Sequence, residues 1–394
     1  MKVLVTGGGS GGHITPALAV AHELKQLRPD VHITYVGQTG DSLGDVPEQD
    51  KNIDQVLNVR AGKFRRYHGE GWRQLFDIGT LYKNLRDTMW LLVGIWQSFR
   101  LLGKLQPDVI FTRGSYVSVP VCLAAALRGM PYITHDSDAV PSLANRIIAP
   151  WARVHAVALP KEIYSYPAKK TVTVGVPISH KFYRLSEVEI ISERKRLGLE
   201  KAHRVLFMTG GGHGADRLNK ALMSCVPELL ERYPDLWVVH ITGRNLEADI
   251  RRRYKQNLSA DQQKHVVVKG FVTNLHQYSG AADVVLTRAG MTSLAEFAAQ
   301  AKACVVVPNP QLTGGHQLKN AKVLADRKAI RLVSEDNIKN DPRALMPALT
   351  DLFDHPDKAK ALRDRLSELA QPNSAHLLAM VLLELVEGKS LETQ

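Results

Sequence analysis

Cysteine is scarce in this sequence and long apolar runs are missing, and each shortage excludes a class of protein. The three cysteines are far apart in the chain, so neither a disulfide framework nor a zinc-site spacing is present. This scarcity agrees with a reducing compartment. Strictly apolar stretches such as 121–127 and 89–93 are much shorter than the roughly 20 residues of a transmembrane helix. No signal peptide is expected, because Lys2 leads directly into a strand-like run.

Acidic residues are also in deficit. The 394 residues include 39 aspartates and glutamates against 51 lysines and arginines, which gives a net charge of +12. Such a surface favours an anionic partner: nucleic acid, acidic lipid or a phosphorylated small molecule. The 44% apolar and 23% charged residues are ordinary for a globular protein and exclude disordered, collagen-like and coiled-coil chains. The length suggests two or three domains.

Short β-branched runs alternate with amphipathic helical patterns along the chain. The predicted strands form two series, 2–6, 32–36, 108–112, 132–135, 154–158 and 171–175, then 204–209, 237–242, 265–270, 283–287, 304–308 and 330–333. This alternation of apolar strands and helices predicts parallel sheets covered on both faces. We therefore predict an α/β protein of two Rossmann-like doubly wound domains, 1–177 and 178–373, that face one cleft. A last helix, within 374–394, is predicted to return to the first domain.

Each series opens with a strand that runs into a glycine cluster, 7–12 in the first and 210–214 in the second. The first cluster fits the dinucleotide fingerprint G-x-G-x-x-G, but the acid that this motif needs after the second strand is missing near 37–38. Residues 8–12 also match the G-x-S-x-G motif of a nucleophile elbow, but that motif requires a central strand of a hydrolase sheet and not the first strand. The cluster does not match the Walker pattern, because His13 stands where that pattern requires lysine. A glycine loop at a helix N-terminus can still bring N–H groups to an anion. The alternative is a tight turn without a ligand, but six glycine or serine residues in a row exceed what a turn needs, so we favour a functional loop.

His13 follows this loop and is predicted to lie at the cleft. It is either a candidate general base or a histidine satisfied by local backbone. Two more segments, 114–120 and 135–138, follow strands of the first domain and should line the same edge. The acids of the second segment, Asp136 and Asp138, could act as a base, orient a histidine, bind a metal or cap the next helix.

The corner 288–296 of the second domain allows two interpretations. Ser293 and Glu296 fit a capping box, in which the glutamate bonds the N-cap N–H. Alternatively, the carboxylate of Glu296 meets paired ribose hydroxyls beside a helix N-terminus that holds phosphate. After a later strand, the amide of Gln317 could bind a sugar hydroxyl, or its loop could be a flexible surface loop.

The segment 60–104 is strongly basic and rich in aromatic residues. Nine basic residues stand against three acidic ones, which accounts for half of the chain's net charge of +12. Basic residues among aromatic and aliphatic ones suit a membrane surface with anionic lipid. The alternative is a buried helix over 81–102 with a solvated basic rim, and we expect some of both. No signature of a nucleic-acid-binding module is present, so nucleic acid is not expected as a partner.

Six segments resemble, in order and spacing, the MurG family, which transfers GlcNAc from UDP-GlcNAc to the lipid-linked muramyl pentapeptide of peptidoglycan. They are 6–17 (TGGGSGGHITPA), 114–120 (GSYVSVP), 135–145 (HDSDAVPSLAN), 210–215 (GGGHGA), 288–296 (RAGMTSLAE) and 316–321 (HQLKNA). The resemblance extends over nearly the whole chain. It implies a GT-B fold, inverting transfer without a metal or other cofactor, and peripheral attachment to the cytoplasmic face of the bacterial inner membrane. The implied partners are UDP-GlcNAc, a lipid-linked acceptor and an anionic membrane surface.

The resemblance also assigns roles to residues. His13 is the catalytic candidate, and Asp136 is the alternative base. The residues implied to bind substrate are Ser10, Gly11, Gly12, Tyr116, Asp138, Ser179, Gly212, Val272, Met291, Thr292, Ser293, Leu294, Ala295, Glu296 and Gln317. The residues expected to face the membrane are Phe64, Arg65, Arg66, Trp72 and Trp90.

Three segments depart from the family pattern. HDSD at 135–138 stands where the family has HEQN, GGGHG at 210–214 where it has GGSQG, and GVPIS at 175–179 where it has GNPVR. These changes touch donor and sugar positions and leave two alternatives open. One is a diverged glycolipid glycosyltransferase with another UDP-sugar or acceptor, and the other is a non-catalytic homologue that binds nucleotide sugars. An NAD-dependent oxidoreductase would rest on the glycine fingerprint alone.

Overall fold

The chain forms two compact units. The computed structural model describes residues 1–62, 78–138, 140–211, 214–310 and 315–388, with side chains from residue 85 onward in the helix that begins at Ile78. The first unit comprises Met1–Ser179, Gln311–His316 and Gln371–Gln394, and the second comprises His180–Pro310 and Gln317–Ala370. That the two units face one cleft stays a prediction.

The first unit is built on a parallel sheet in the order β3-β2-β1-β4-β5-β6-β7. Its strands are β1 (Lys2–Thr6), β2 (His32–Gln38), β3 (Gln55–Val59), β4 (Val109–Thr112), β5 (Tyr132–Asp136), β6 (Val154–Val157) and β7 (Thr171–Thr173). Its first helices are α1 (Gly11–Leu27), α2 (Asp45–Glu48), α3 (Ile78–Leu105), α4 (Ser118–Leu127) and α5 (Leu143–Ile148). The central strands are buried throughout, as expected where helices cover both faces of a parallel sheet.

The second unit repeats this plan with a sheet in the order β10-β9-β8-β11-β12-β13. Its strands are β8 (Arg204–Thr209), β9 (Leu236–Ile241), β10 (Val266–Lys269), β11 (Val284–Thr287), β12 (Ala303–Val306) and β13 (Arg331–Leu332). Its helices are α6 (Glu187–Arg196), α7 (Asp216–Arg232), α8 (Glu247–Asn257), α9 (Ala260–Lys264), α10 (Leu275–Gly280), α11 (Met291–Ala299), α12 (His316–Asp326), α13 (Glu335–Asn340), α14 (Met346–Asp354) and α15 (Pro356–Ser367). The first residue of α12, His316, is grouped with the first unit. Two doubly wound parallel sheets confirm the predicted fold class.

The last helix, α16 (Ser374–Val386), packs on α1 of the first unit. Leu378 and Leu382 are fully buried in this contact region, and His376 Nδ1 lies 3.2 Å from Glu23 Oε2 on α1. Arg28 at the end of α1 forms an ion pair with Glu387 at 3.4 Å. The chain therefore completes its first unit with its C-terminal helix.

One strand was not predicted from the sequence. β3 lies at the edge of the first sheet and pairs only with β2 among the described strands. Its sequence, QVLNV, is short, partly exposed and interrupted by Asn58, so it lacks the apolar run that indicates a buried strand. Each of the other strands lies within two residues of its predicted ends.

Candidate functional site

The strand order of each sheet reverses at one place, and the glycine clusters lie there. In the first sheet the reversal falls between β1 and β4, and in the second between β8 and β11. Ligands of open α/β sheets bind beyond the carboxyl ends of the strands at such a switch point. Each unit therefore has its own candidate site at this edge.

The glycine loop after β1 requires glycine for a steric reason. Gly8 and Gly9 have positive φ angles of 153° and 77°. A Cβ at Gly9 would lie 2.5 Å from Cε1 of Tyr116, whose hydroxyl donates to Gln38 Oε1. Ser10 is the N-cap of α1 but makes no side-chain capping bond, and Gly11 and Gly12 open the helix. The structure thus brings Tyr116 against the predicted loop.

A carboxylate already contacts this loop. The Gly9 N–H donates to Asp41 Oδ2 at 2.6 Å, and the Leu43 N–H donates to Asp41 Oδ1 at 3.1 Å. Asp41 follows β2 and was not among the predicted site residues. Because the Gly9 amide is engaged by this carboxylate, an anion that used the same amide would have to displace Asp41.

His13 lies in the first turn of α1 as a half-buried residue. Burial, followed by the positive charge of Arg113, lowers the pKa of the imidazole to about 4, whereas a hydrogen bond to the Arg113 backbone acts in the opposite direction. The ring is therefore neutral at pH 7. The hydrogen bond fits the local-backbone alternative, but a neutral imidazole can still accept a proton, so both predicted roles remain compatible with its position.

Asp136 ends β5 and is held in a buried network. Its Oδ2 accepts from the Tyr166 hydroxyl at 2.7 Å and its Oδ1 from the Ser142 N–H at 3.1 Å, and only 4% of the residue is exposed. Burial raises the pKa of the carboxyl, while these hydrogen bonds act in the opposite direction. Asp138 follows in the same loop, and its carbonyl accepts from the Tyr164 hydroxyl at 3.1 Å. We interpret Asp136 as an organiser of this loop.

This interpretation predicts different effects for a structural and a catalytic role of Asp136, which an experiment can distinguish. We expect Asp136→Asn to lower the free energy of unfolding by about 1–3 kcal/mol, the range for a hydrogen-bonded buried charge. We expect kcat to fall much less than the roughly 10²- to 10⁴-fold that a lost general base would cost. Urea unfolding and steady-state transfer rates on one protein preparation measure both quantities. A kcat loss of that size at unchanged stability would instead identify Asp136 as the base.

The glycine loop of the second unit also depends on left-handed backbone. Gly211 and Gly214 have φ angles of 88° and 76°, and a Cβ at Gly214 would lie 2.1 Å from the Thr242 carbonyl oxygen. The loop passes this close to the end of β9 before α7 begins. Gly212, which was predicted to bind substrate, lies outside the described residues.

The corner after β11 begins a helix at a different residue from the one the capping box requires. Gly290 is the N-cap of α11, so Ser293 is the third residue of the helix and the capping-box interpretation is wrong. The N–H groups of Met291, Thr292 and Ser293 lie in the first turn, where a helix offers them no acceptor of its own. The Leu294 N–H instead donates to the Gly290 carbonyl at 3.0 Å, and its side chain is in the core.

Glu296 therefore does not cap its own helix, and it lies one turn inside α11 with 5% of its surface exposed. Ala295 precedes it as a half-buried residue. The ribose interpretation of Glu296 thus stays a prediction. The same holds for Val272, which packs partly on the core after β10, and for Ser179, the last residue of the first segment of its unit.

The side-chain amide of Gln317 is held by a hydrogen bond to the backbone. It is the second residue of α12, is 8% exposed, and its Oε1 accepts from the Asn309 N–H at 2.9 Å. The amide therefore joins the start of α12 to Asn309, while residues 311–314 between them lie outside the described residues. Because the Gln317 Oε1 already accepts this hydrogen bond, a sugar hydroxyl would bind mainly to the side-chain NH₂ group.

The basic segment places one long helix, α3, on the surface of the first unit. α3 packs on α4, yet several of its apolar side chains face outward, and Trp90 is 37% exposed. The predicted membrane-facing residues Phe64, Arg65, Arg66 and Trp72 lie outside the described residues. From residue 85 onward, α3 buries Ser98 and Leu102 but exposes Met89 and Trp96, so its described part is neither wholly buried nor wholly exposed. In the described ranges no helix is long and apolar enough to cross a membrane.

No group of three or more His, Cys, Asp or Glu side chains that could hold a metal ion occurs among the residues the structure describes.

Comparison with known proteins decides the family. The N-terminal domain model of glycosyltransferase family 28 matches residues 3–157, and the C-terminal domain model matches residues 205–378. The UDP-N-acetylglucosamine–N-acetylmuramyl-(pentapeptide) pyrophosphoryl-undecaprenol N-acetylglucosamine transferase of Moorella thermoacetica is 32% identical over 390 residues, which cover 98% of this chain and 100% of the relative. The chain belongs to glycosyltransferase family 28. The predicted resemblance to the MurG family is confirmed.

Two more proteins set this family-28 glycosyltransferase in context. The relative of the same name from Natranaerobius thermophilus is 30% identical over 388 residues, which cover 98% of this chain and all of the relative. The crystal structure of Acinetobacter baumannii MurG superposes with a TM-score of 0.65 at 22% identity, and the match covers 97% of this chain and 99% of that one. The second comparison shows a shared fold and confirms the predicted GT-B class.

In this family-28 enzyme, sequence reasoning missed two charged residues at the site edge of the first unit. Arg113 directly follows β4 and is 6% exposed, and Asp41 comes three residues after β2. The available signal was position alone, because a charged residue directly after a buried parallel strand points to the switch-point edge.

Proposed function

We propose that this chain is an inverting glycosyltransferase that moves GlcNAc from UDP-GlcNAc to a lipid-linked muramyl pentapeptide acceptor. The observation that carries the proposal is the full-length match, at 30% and 32% identity, to relatives named for this reaction. The two switch-point edges with glycine loops supply a place for each substrate, since glycine loops and helix N-termini suit phosphate groups.

The chemistry that we assign to the chain is a single displacement. The acceptor hydroxyl gives its proton to the His13 imidazole as its oxygen attacks the anomeric carbon, and the bond from that carbon to the UDP oxygen breaks. UDP departs with the electron pair and the negative charge. Backbone N–H groups at 290–293, with the dipole of α11, would stabilise this charge as fixed electrostatic groups. Glu296 would accept from the ribose hydroxyls of the same nucleotide.

We further propose that α3 rests on the cytoplasmic face of the inner membrane, where the lipid-linked acceptor lies. Leu85, Met89, Leu92 and Trp96 are 54–64% exposed and recur at intervals of three or four residues, so they form one apolar stripe. Three arginines lie over its aromatic rings: Arg86 over Trp90 at 4.7 Å, Arg100 over Trp96 at 3.9 Å and Arg128 over Phe99 at 3.9 Å. An apolar stripe with basic neighbours suits an anionic lipid surface.

Replacing apolar side chains of this stripe by polar ones should weaken membrane binding. We expect Met89→Ser with Trp96→Ser to lower the partition coefficient onto vesicles containing phosphatidylglycerol by about tenfold or more, since each large side chain gains about 1.5–3 kcal/mol on full burial. Vesicle sedimentation measures this coefficient. The matched control is Val188→Ser with Ile191→Ser on α6 of the second unit, where the two side chains are 78% and 67% exposed. Equal losses in both double variants would contradict the assignment to α3.

A panel of donors tests the sugar part of the proposal. Thermal unfolding with UDP, UDP-GlcNAc, UDP-glucose, UDP-GalNAc and NAD should show the largest rise in midpoint with UDP-GlcNAc, because a ligand that binds the folded state stabilises it by mass action. A larger rise with another UDP-sugar would favour the diverged glycosyltransferase, which the departures at 135–138, 175–179 and 210–214 support. A rise with NAD alone would overturn the proposal.

A further inference from the structure

The two strands at the switch point of the second unit are paired in register, so the segments that follow them begin side by side. Thr209 at the end of β8 lies opposite Thr287 at the end of β11. The first strand runs into the glycine cluster that precedes α7, and the second runs into the corner 288–296, where α11 begins. Both helix N-termini therefore lie at the edge where ligands of open α/β sheets bind.

A single carboxylate joins these two segments. Glu335 opens α13, and only 4% of its side chain is exposed. Its Oε1 accepts from Nη1 of Arg217, the second residue of α7, at 2.5 Å. The same Oε1 accepts from Arg288 Nη2 at 3.2 Å, and Arg288 Nη1 donates to Oε2. Arg288 directly follows β11, two residues before Gly290, the N-cap of α11. One buried side chain thus links the start of α7 to the segment that leads into α11.

Stability alone does not require this arrangement. Burial costs charged groups their hydration, and an apolar pair of similar volume is often as stable as a buried ion pair. A buried network whose groups are hydrogen-bonded instead fixes the orientation of the elements that it joins. Arg288 Nη1 also donates to the Val307 carbonyl at 3.1 Å, so the guanidinium is held from the end of β12 as well. The contacts of Glu335 therefore restrict how α7 and the corner 288–296 can move relative to each other.

We propose that Glu335 is a positioning residue that sets the separation of the first turns of α7 and α11, so that N–H groups of both helices bind the two phosphate groups of one nucleoside diphosphate. This inference rests on the proposed function, in which the donor carries UDP. The N–H groups of a first turn have no acceptor within their own helix, and the helix dipole favours an anion there. Two phosphate groups joined by one oxygen lie a fixed short distance apart, so the two helix ends must be held at a matching distance. Glu335 acts through Arg217 and Arg288 and does not contact the ligand.

The contribution of the diphosphate to binding tests this role. Full-length protein is titrated with UDP by calorimetry and with uridine by ligand-observed NMR, since the two ligands differ only in the diphosphate. We expect Glu335→Leu with Arg288→Met to weaken UDP binding by about tenfold or more, because bound geometry is sensitive to misplacements of about 1 Å, and to leave uridine binding unchanged. This double variant removes one positive and one negative charge, so the net charge at the site stays the same. Its midpoint of thermal unfolding should stay close to that of the unaltered protein, so a purely structural pair would leave UDP binding intact.

Two single variants keep the test decisive even if the double variant fails to fold. Arg217→Met removes the contact on α7 and should weaken UDP binding by a smaller factor than the double variant. Lys220→Met removes the same charge about one turn further along α7, where the side chain is 52% exposed and pairs with Asp216, and should leave UDP binding unchanged.

Two results overturn the proposal: UDP binding of unchanged strength in the folded double variant, or a loss in Arg217→Met no greater than in Lys220→Met. Unaltered protein that binds no UDP would refute the proposed function together with this inference. Unaltered protein that binds UDP, with variants that bind it equally well, would refute this inference alone.

Discussion

His13→Ala should lower the kcat of sugar transfer by about 10²- to 10⁴-fold, the usual contribution of a positioned general base. The imidazole is neutral at pH 7 because burial and the Arg113 charge lower its pKa to about 4. It can therefore accept a proton throughout the neutral range. The dissociation constant for UDP-GlcNAc should stay unchanged, since we assign the donor to the second unit. Single-turnover rates and calorimetric titration with UDP-GlcNAc measure the two quantities.

The pH dependence of the same reaction has a definite sign. Because protonation removes the base, activity should be retained as the pH falls from 7 and should be lost only as it approaches the His13 pKa of about 4. The control is His32→Ala, whose side chain is 50% exposed at the start of β2. A loss of kcat in His32→Ala as large as in His13→Ala would mean that the effect is structural. Full activity in His13→Ala would move the base to another residue.

Glu335→Ala should lower the free energy of unfolding of the second unit by about 3–5 kcal/mol, the cost of leaving a buried charge without its partner. Glu335 opens α13, and its side chain and that of Arg288 are 4% and 10% exposed. Arg288 Nη1 donates to Glu335 Oε2 and also to the Val307 carbonyl at 3.1 Å. Arg217 reaches Glu335 Oε1 at 2.5 Å from a more exposed position. Loss of the carboxylate strands the Arg288 guanidinium at the end of β11.

The matched variants separate this cause from simple loss of volume. Glu335→Leu with Arg288→Met removes both buried charges and should recover most of the lost stability, because an apolar pair of similar size can replace a buried ion pair. Arg217→Met removes only the exposed partner and should cost about 1 kcal/mol or less. Urea unfolding followed by circular dichroism gives the three values. A double variant as unstable as Glu335→Ala would contradict the stranded-charge explanation.

The strands of both sheets could be predicted from the sequence because local hydrophobic patterns indicate them. Apolar β-branched runs predicted the core strands, whereas β3 escaped because it is a half-exposed edge strand. Helix starts were less certain: Ser293 and Glu296 fit a capping box, but α11 begins earlier, after Gly290. A capping-box sequence can therefore occur inside a helix without marking the residue at which the helix begins.

The contacts at the candidate site were beyond sequence reasoning because they join distant positions. Glu335 bonds Arg288 from 47 residues away, and Asp41 reaches the Gly9 amide from 32 residues away. Neither spacing has a local signature, and only the parallel strand order brings them together. The resemblance identified His13 and the corner 288–296 but not Arg113, whose charge helps to lower the pKa of His13.

The central claim is tested most directly by the product itself. Purified full-length protein is incubated with UDP-GlcNAc and an undecaprenyl-diphospho-muramoyl-pentapeptide acceptor in detergent micelles, and the lipid fraction is analysed by mass spectrometry, with His13→Ala in parallel. The proposed function predicts an acceptor heavier by one N-acetylhexosamine residue and an equimolar release of UDP, both strongly reduced in the variant. Folded protein that binds UDP-GlcNAc but leaves the mass of the acceptor unchanged would contradict it.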